Sequence, residues 1–373
     1  MKIANVEPFQ MAWTVAAPPN QRSAWLRITT DCGLVGYGEA SPMMGGRETL
    51  ALIADRIAPM LIGADPFDTG ILYDSQFHRL VKMGPEGIVA GALAAIDIAL
   101  WDIKGHALGL PIYKLLGGAW QTDLPLYASV GNNGARTVQQ VLDVIAARIE
   151  NEKPSLVKMR FDGNRTQLDV DIPGDIAKAK AVRAMVGDDF RLAFDANNGY
   201  SIGGAIRVGR ALEELGFEWF EEPVQHYHIA AMGEVAQKLD ITVSAGEQTY
   251  TLQGVAQLIE AGLRMVQPDI VKMGGITGMM QCLALAYAHG VEIVPHQTQP
   301  VIGMAANLHV IATQIHTTRP IEFNEPSRRQ LAVFDQAPDY CDGKFKLTDT
   351  PGLGLKINEV ALAERRLLIS ATT

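Results

Sequence analysis

The chain has 373 residues, 48% of them hydrophobic, and a formal net charge of −9 at pH 7. That length supports a large core and more than one domain, while the acidic balance speaks against nucleic acid as a partner, because polyanion binding needs a basic surface. No run is long and apolar enough to span a bilayer, the opening residues MKIANVEPFQ carry no signal pattern, and Cys32, Cys282 and Cys341 have no CxxC spacing. A cytoplasmic protein without membrane partner, disulfide framework or zinc cage is therefore expected.

Residues around 2–14 and the runs WLRITT and LVGYGEA predict a short antiparallel sheet, the last two joined by the turn Asp31-Cys32-Gly33. Three helical stretches follow. RETLALIADRIAPMLIG has apolar residues at helical spacing, DPFDTGILYDSQFHRLV opens with an Asp cap, and EGIVAGALAAIDIALWDIKGHALG is Ala-rich and buried. This α+β unit is assigned to residues 1–123.

From residue 124 the rhythm changes. LPLYAS, LVKMR, RLAFDAN, FEWFEEP, ITVSAGE, RMVQPD, VEIVPH and RPIEFN are short apolar runs, most of them separated by amphipathic stretches of helical length. Strands alternating with helices imply a parallel sheet, and eight strands imply closure into a barrel over residues 124–324. The sequence after Asn324 leaves little room for a full eighth helix. The turn-rich tail, 325–373, is expected to return to the N-terminal unit.

The ends of these runs carry the chemistry. Asp195, Glu221 and Glu247 are equally spaced in the chain, each at the end of an apolar run, so three adjacent strands should deliver them to one rim. Gathered carboxylates repel unless a cation holds them, and oxygen donors of this kind suit a hard divalent metal. Lys158 and Arg160 end the second run, Asp269 the sixth and His296 the seventh, while Glu322 lies in the eighth. A single acid at a strand end is commonly a helix cap or an ion-pair partner. A set in phase on the C-terminal rim, where barrels build their active sites, is much harder to explain that way.

At this point the chain resembles the enolase superfamily, in particular its mandelate racemase-like subgroup. The motifs that carry the resemblance are AAIDIALWDIKGHALGLPIYKLLGG (94–118), VKMR (157–160), AFDANNGY (193–200), WFEEP (219–223), SAGE (244–247), QPDIVKMGGITG (267–278) and VPHQTQ (294–299). The resemblance implies a (β/α)7β modified TIM barrel with an α+β capping domain formed by the N-terminal segment and the C-terminal tail. It also implies Mg2+ on Asp195, Glu221 and Glu247, an Asp269–His296 dyad, and Glu322 facing a substrate carboxylate. By analogy a homo-oligomer is expected.

The proton α to a carboxylate is very weakly acidic, because its removal adds a second negative charge to an anion. Mg2+ offsets that charge, and Lys158 adds to it. Asp269 can fix the tautomer of His296 and raise its basicity. Glu322, if protonated by burial, could donate to a substrate oxygen; its structural alternative is a salt bridge to a rim Arg or Lys. Racemases of this subgroup typically carry Lys-x-Lys on the second strand, whereas this chain has Lys158-Met159-Arg160. Arginine stays protonated and clamps anions rather than accepting protons.

One tunable base suits syn dehydration of a small anionic polyhydroxy acid, an aldonate or aldarate, to a 2-keto-3-deoxy acid. A racemase, epimerase or cycloisomerase using Lys158 as the opposing base remains an alternative, as does a Schiff-base aldolase using Lys158 or Lys272. A carbohydrate-binding relic without activity is a third. Specificity is expected from the loops at 16–24 and 43–47, with Arg22, Arg47 and Asn197 as substrate contacts; the two arginines are equally readable as surface charges. Lys272 is a candidate for polar support of the dyad.

Overall fold

The computed structural model describes residues 1–13, 22–41, 46–162, 166–299, 301–315, 319–324 and 328–368. Strands β1 (Ile3–Ala12), β2 (Arg22–Thr30) and β3 (Val35–Ala40) pair antiparallel in sequence order. The first helical stretch is α1 (Arg47–Leu52), a π-helical turn over Ile53–Ile57, and α2 (Ala58–Leu61). Next come α3 (Thr69–Leu80), α4 (Ile88–Leu108) and the short α5 (Ile112–Leu115). The Asp cap expected on α3 is not made. Asp68 occupies the cap position without a capping hydrogen bond, and Asp65 instead accepts from the Phe67 amide at 3.0 Å.

Helix α4 is buried along most of its length because β3 presents glycine to it. A Cβ on Gly38 would stand 1.8 Å from the Ala95 carbonyl oxygen, and one on Gly36 2.2 Å from that of Ala99. No side chain fits there, so backbone packs on backbone.

The barrel follows as strand–helix pairs: β4 (Asp123–Val130), α6 (Val138–Glu152), β5 (Leu156–Arg160), α7 (Ile172–Val186), β6 (Arg191–Asp195) and α8 (Ile202–Glu214). It continues with β7 (Trp219–Glu221), α9 (Ile229–Lys238), β8 (Thr242–Ala245), α10 (Leu252–Glu260), β9 (Met265–Val266), α11 (Gly275–His289), β10 (Glu292–Ile293), α12 (Ile302–Ile311) and β11 (Ile321–Phe323). Strands β4 to β10 pair in parallel, each with the next, and β11 returns to pair in parallel with β4. Among the described residues no full helix of the barrel ring follows β11, in keeping with the (β/α)7β form.

Alternation along the strands sorts the side chains. Val157, Met159, Leu192, Phe194, Phe220 and Val243 join the large core against the helices. Their neighbours Tyr127, Leu156, Ala193, Trp219, Met265 and Val294 form a separate apolar cluster that fills the barrel. Below that floor, at the strand starts, Arg191 pairs with Glu218, and Arg319 bridges Glu218 and Glu292 while lying 5.8 Å over the Trp219 ring. Above it lies the charged layer described next.

The tail comprises α13 (Arg328–Leu331), β12 (Phe334–Gln336), β13 (Asp339–Cys341), β14 (Lys344–Lys346), β15 (Lys356–Ile357), α14 (Glu359–Arg365) and β16 (Arg366–Leu368). It divides its contacts. The β13–β14 hairpin adds antiparallel to barrel strand β4, whereas β16 adds to β1 of the capping sheet. Asp102 of α4 ties the parts together, accepting from the Tyr37 amide at 3.0 Å and the Leu353 amide at 2.9 Å. Among the described residues no helix is long and apolar enough to cross a membrane.

Candidate active site

Three neighbouring strands each bring an acid to their C-terminal ends. Asp195 closes β6, Glu221 closes β7 and Glu247 follows β8, and one oxygen of each lies within 4.8 Å of the others, all buried. Register places them: Asp195 is paired with Glu221, and Glu221 with Ser244. Just beyond, the chain turns through left-handed backbone at Asn197 (φ 44), Asn198 (φ 67) and Glu222 (φ 39). Such conformations cost about 1–3 kcal/mol each and persist where surroundings hold them. Here the Asn197 amide donates to Asp195 Oδ1 at 2.8 Å, and the Asn198 amide to the Glu222 carbonyl at 2.9 Å.

Lys158, two residues before the end of β5, is fully buried among these acids. Its Nζ stands 2.6 Å from Glu221 Oε2, 3.1 Å from Glu322 Oε1 and 3.6 Å from Asp195 Oδ2. Burial alone would lower its pKa, but Glu221 and Glu322 hold it well above the usual lysine value. Burial and the Glu221 charge push Asp195 well above the ordinary carboxylate range, and burial raises Glu221 against the pull of Lys158. Glu247 moves the other way: burial would raise it, but His296 and Lys272 draw it well below.

The donor set fits a hard divalent cation. All three groups are carboxylates, their oxygens converge, and Glu221 Oε1 is buried with no hydrogen-bond partner. Asp195, Glu221 and Glu247 are the residues that would hold the ion.

Asp269 and His296 lie just past β9 and β10 and form an isolated parallel bridge, which places them side by side. His296 Nδ1 stands 2.9 Å from Asp269 Oδ2, and the second Asp269 oxygen accepts from the Val271 amide at 3.0 Å. His296 Nε2 faces Glu247 Oε2 at 2.9 Å. Burial would lower this imidazole, yet Glu247 and Asp269 lift it to about 10. Lys272 donates to the Glu247 carbonyl at 3.0 Å and lies 3.6 Å from Asp269 Oδ2, linking the metal-cage strand to the dyad.

Glu322, buried in β11, accepts from the Gln297 amide at 3.0 Å. Of the two readings left open for Glu322, a protonated donor or a partner of a rim cation, the contact with Lys158 at 3.1 Å is the second. Burial pushes Glu322 up, but Lys158, His296 and the Gln297 amide outweigh it and hold it at about 2, a carboxylate. Arg160 ends β5 with its Nε 2.8 Å from Asp162 Oδ1. Burial would lower it, but Asp162 and Asp195 keep its pKa above the usual arginine value, so it remains a cation.

Lys158, Asp195, Glu221, Glu247, Asp269, His296 and Glu322 are thus gathered at one rim, with Arg160 and Asn197 beside them. The other two candidates belong to the capping domain: Arg22 donates to Gln10 at 3.1 Å within the sheet, and Arg47 is exposed at the start of α1. Most of both specificity loops, 16–21 and 43–45, lies outside the described residues. A cavity of about 400 Å3 at the barrel base, beside Arg319, contains none of these groups.

Two site residues had escaped notice. Tyr127 lies beneath Lys158, whose Nζ is 5.5 Å from its ring centre, and Ser129, buried, is paired in register with Lys158. The signal was present in LPLYAS: with Leu126, Ala128 and Val130 facing the helices, period-two alternation turns Tyr127 and Ser129 inward.

Known proteins share this architecture. Residues 2–117 match the family described as mandelate racemase / muconate lactonizing enzyme, N-terminal domain, and residues 140–361 the one described as enolase C-terminal domain-like. A mandelate racemase/muconate lactonizing protein from Paracoccus denitrificans, crystallised with magnesium, is 60% identical, with a TM-score of 0.96 over 99% of both chains. D-galactarolactone cycloisomerase from Agrobacterium fabrum is 33% identical over 92% of this chain and 90% of its own. Arabinonate dehydratase from Saccharolobus solfataricus is 30% identical over 90% of this chain and 88% of its own.

Proposed function

Because the chain belongs to the mandelate racemase/muconate lactonizing enzyme family of the enolase superfamily, at its acid-sugar dehydratase branch, we propose that it abstracts the proton α to the carboxylate of a polyhydroxy acid and expels the β-hydroxyl as water. The product is a 2-keto-3-deoxy acid. Asp195, Glu221 and Glu247 would hold Mg2+, which when bound would supply positive charge near the substrate carboxylate.

The remaining work falls to the chain's own side chains. Lys158, held as a cation, adds charge on the same side of the site. His296 is the base: its Nδ1 is tied to Asp269, so Nε2, which faces Glu247 at the edge of the three-acid cluster, is the ring nitrogen that would exchange a proton with substrate. The proton passes from C2 to Nε2, the C–H electrons become the C2=C3 bond, and the C3–O bond breaks. The imidazolium returns the proton to the departing hydroxide, and the enol tautomerises to the keto acid. The observation that carries this reading is geometric: Asp269 holds His296 Nδ1 at 2.9 Å, while the residue that ends β5 is Arg160, 2.8 Å from Asp162, and not a tunable lysine.

A second reading is lactone cycloisomerisation, favoured by the 33% identical relative of that name. It uses the same single base on a different leaving oxygen. Incubation with a panel of aldonates, aldarates and their lactones, followed by keto-acid assay and NMR of the products, separates the two. Keto acid released from open-chain acids supports dehydration; turnover of lactones alone supports cycloisomerisation. Racemised acid with no keto acid would overturn both.

A further inference from the structure

The seven barrel helices are not capped alike. In α6, α7, α8 and α10 the residue before the helix caps it: Thr137 accepts from the Gln140 amide, Asp171 from Gly174, Ser201 from Gly204 and Thr251 from Gly254. Helix α9, starting at His228, has no side-chain cap, and neither do α11 and α12, which follow the strand ends bearing Asp269 and His296 and start at Gly274 and Val301.

At α11 and α12, acids from the capping domain take over that task. Asp97 of α4, 2% exposed, accepts from the Thr277 amide at 2.8 Å and from the Thr277 hydroxyl, which itself accepts from Trp101 Nε1 at 3.0 Å. Glu39 of β3, 1% exposed, accepts from the Gly303 amide at 3.1 Å and from Trp25 Nε1 at 3.2 Å. The approach is close by construction: a Cβ on Gly275 would lie 2.6 Å from Asp97 Oδ2. From Asp269 to α11 the chain is one tight winding, with the Lys272 and Met273 amides on the Asp269 carbonyl and the Gly275 amide on that of Ile270. Val271, two residues past Asp269, stands 3.2 Å from where a Cβ of Gly303 would be, so the two helix starts also touch each other.

We propose that Asp97 and Glu39 are positioning residues for the Asp269–His296 pair: by completing the first turns of α11 and α12 from the other domain, they fix the two strand-end segments that carry it. The proton-transfer geometry then depends on the capping domain being docked, and not only on the barrel. This rests on the reading of His296 as the base.

The test uses the full-length enzyme with Asp97→Asn and Glu39→Gln, each of which leaves one former donor without its acceptor, and Thr137→Ala as the reference for losing a cap on a helix remote from the pair. Three quantities are measured: amide exchange by mass spectrometry, the downfield proton resonance of the His296–Asp269 hydrogen bond (identified by its loss in Asp269→Asn), and kcat and KM on whichever acid is turned over. Expected in both variants are faster exchange confined to residues 269–280 and 296–305, a broadened or lost resonance, and kcat reduced about tenfold or more with KM nearly unchanged. Mg2+ affinity by calorimetry should stay at the wild-type value, and Thr137→Ala should leave kcat and the resonance intact.

Unchanged exchange and resonance in both variants would overturn the proposal, as would a fall in kcat no greater than that of Thr137→Ala. The exchange and resonance arms need no substrate, so they decide this point even if no sugar acid is converted, an outcome that would count against the proposed reaction instead.

Discussion

His296 and Arg160 face the same chemistry with different capacities. An imidazole can hold or release a proton, whereas the guanidinium, kept charged by Asp162 and Asp195, can only attract anions. Replacing His296 by Asn should therefore lower kcat by about 10²–10⁴-fold. Calorimetry should show Mg2+ binding retained, since Asp195, Glu221 and Glu247 remain. A variant that keeps wild-type turnover would remove the imidazole from the mechanism. Arg160→Lys tests the other side. A lysine there can be tuned by its neighbours, so solvent deuterium should begin to appear at the α-carbon of recovered substrate, together with some inverted epimer, while dehydration slows. Proton NMR of substrate recovered from D2O reads this directly, and no gain in exchange would mean that position 160 does not face the α-carbon.

Strands and helices divide the labour between placing charge and holding it. Strands β5, β6 and β7 each contribute one side chain to the lumen floor and another, two residues later, to the charged rim: Leu156 and Lys158, Ala193 and Asp195, Trp219 and Glu221. The base is closed by Arg319 over Trp219, far from the rim. Arg319→Ala should cost stability on the order of 2–3 kcal/mol, because it leaves Glu218 and Glu292 short of a partner, and should leave kcat unchanged; thermal melts and a standard assay check both. The acids that cap α11 and α12 make a pH prediction. Burial, partly offset by hydrogen bonds, raises Glu39 and Asp97 to about 7 each, from ordinary values of 4.5 and 3.8. Asp269 bears on Glu39 electrostatically, and Lys104 on Asp97. Between those values the folded state binds more protons than the unfolded chain. Their contribution is therefore full below about pH 4 and is lost as pH rises through 7, on the order of 3 kcal/mol per group. The melting temperature should fall from pH 5 to pH 8, and Asp97→Asn should flatten that fall. An identical slope in variant and wild type would show that Asp97 does not titrate in this range.

Over the whole molecule, what could be read from the chain was whatever repeats locally. Eight apolar runs, seven of them carrying a titratable residue at or near the end, were enough to anticipate the barrel and to bring Asp195, Glu221 and Glu247 to one rim. What escaped depends on contacts between distant segments. Asp97 and Glu39 look like ordinary residues of a helix and a strand until the capping domain is docked, and the tail splits between β4 and β1 for reasons of pairing that no local pattern encodes. Which of the two readings of Glu322 applies was open for a related reason. Burial is legible in an apolar run, but the placement of Lys158 within 3.1 Å is not. The central claim is that a divalent ion in the three-acid cage is what makes the α-proton removable by His296. It is tested most directly by stripping the enzyme with a chelator and following keto-acid release from a converted sugar acid before and after Mg2+ is restored. The account predicts no turnover in the stripped enzyme and full recovery on adding Mg2+; undiminished keto-acid release in the presence of chelator would contradict it.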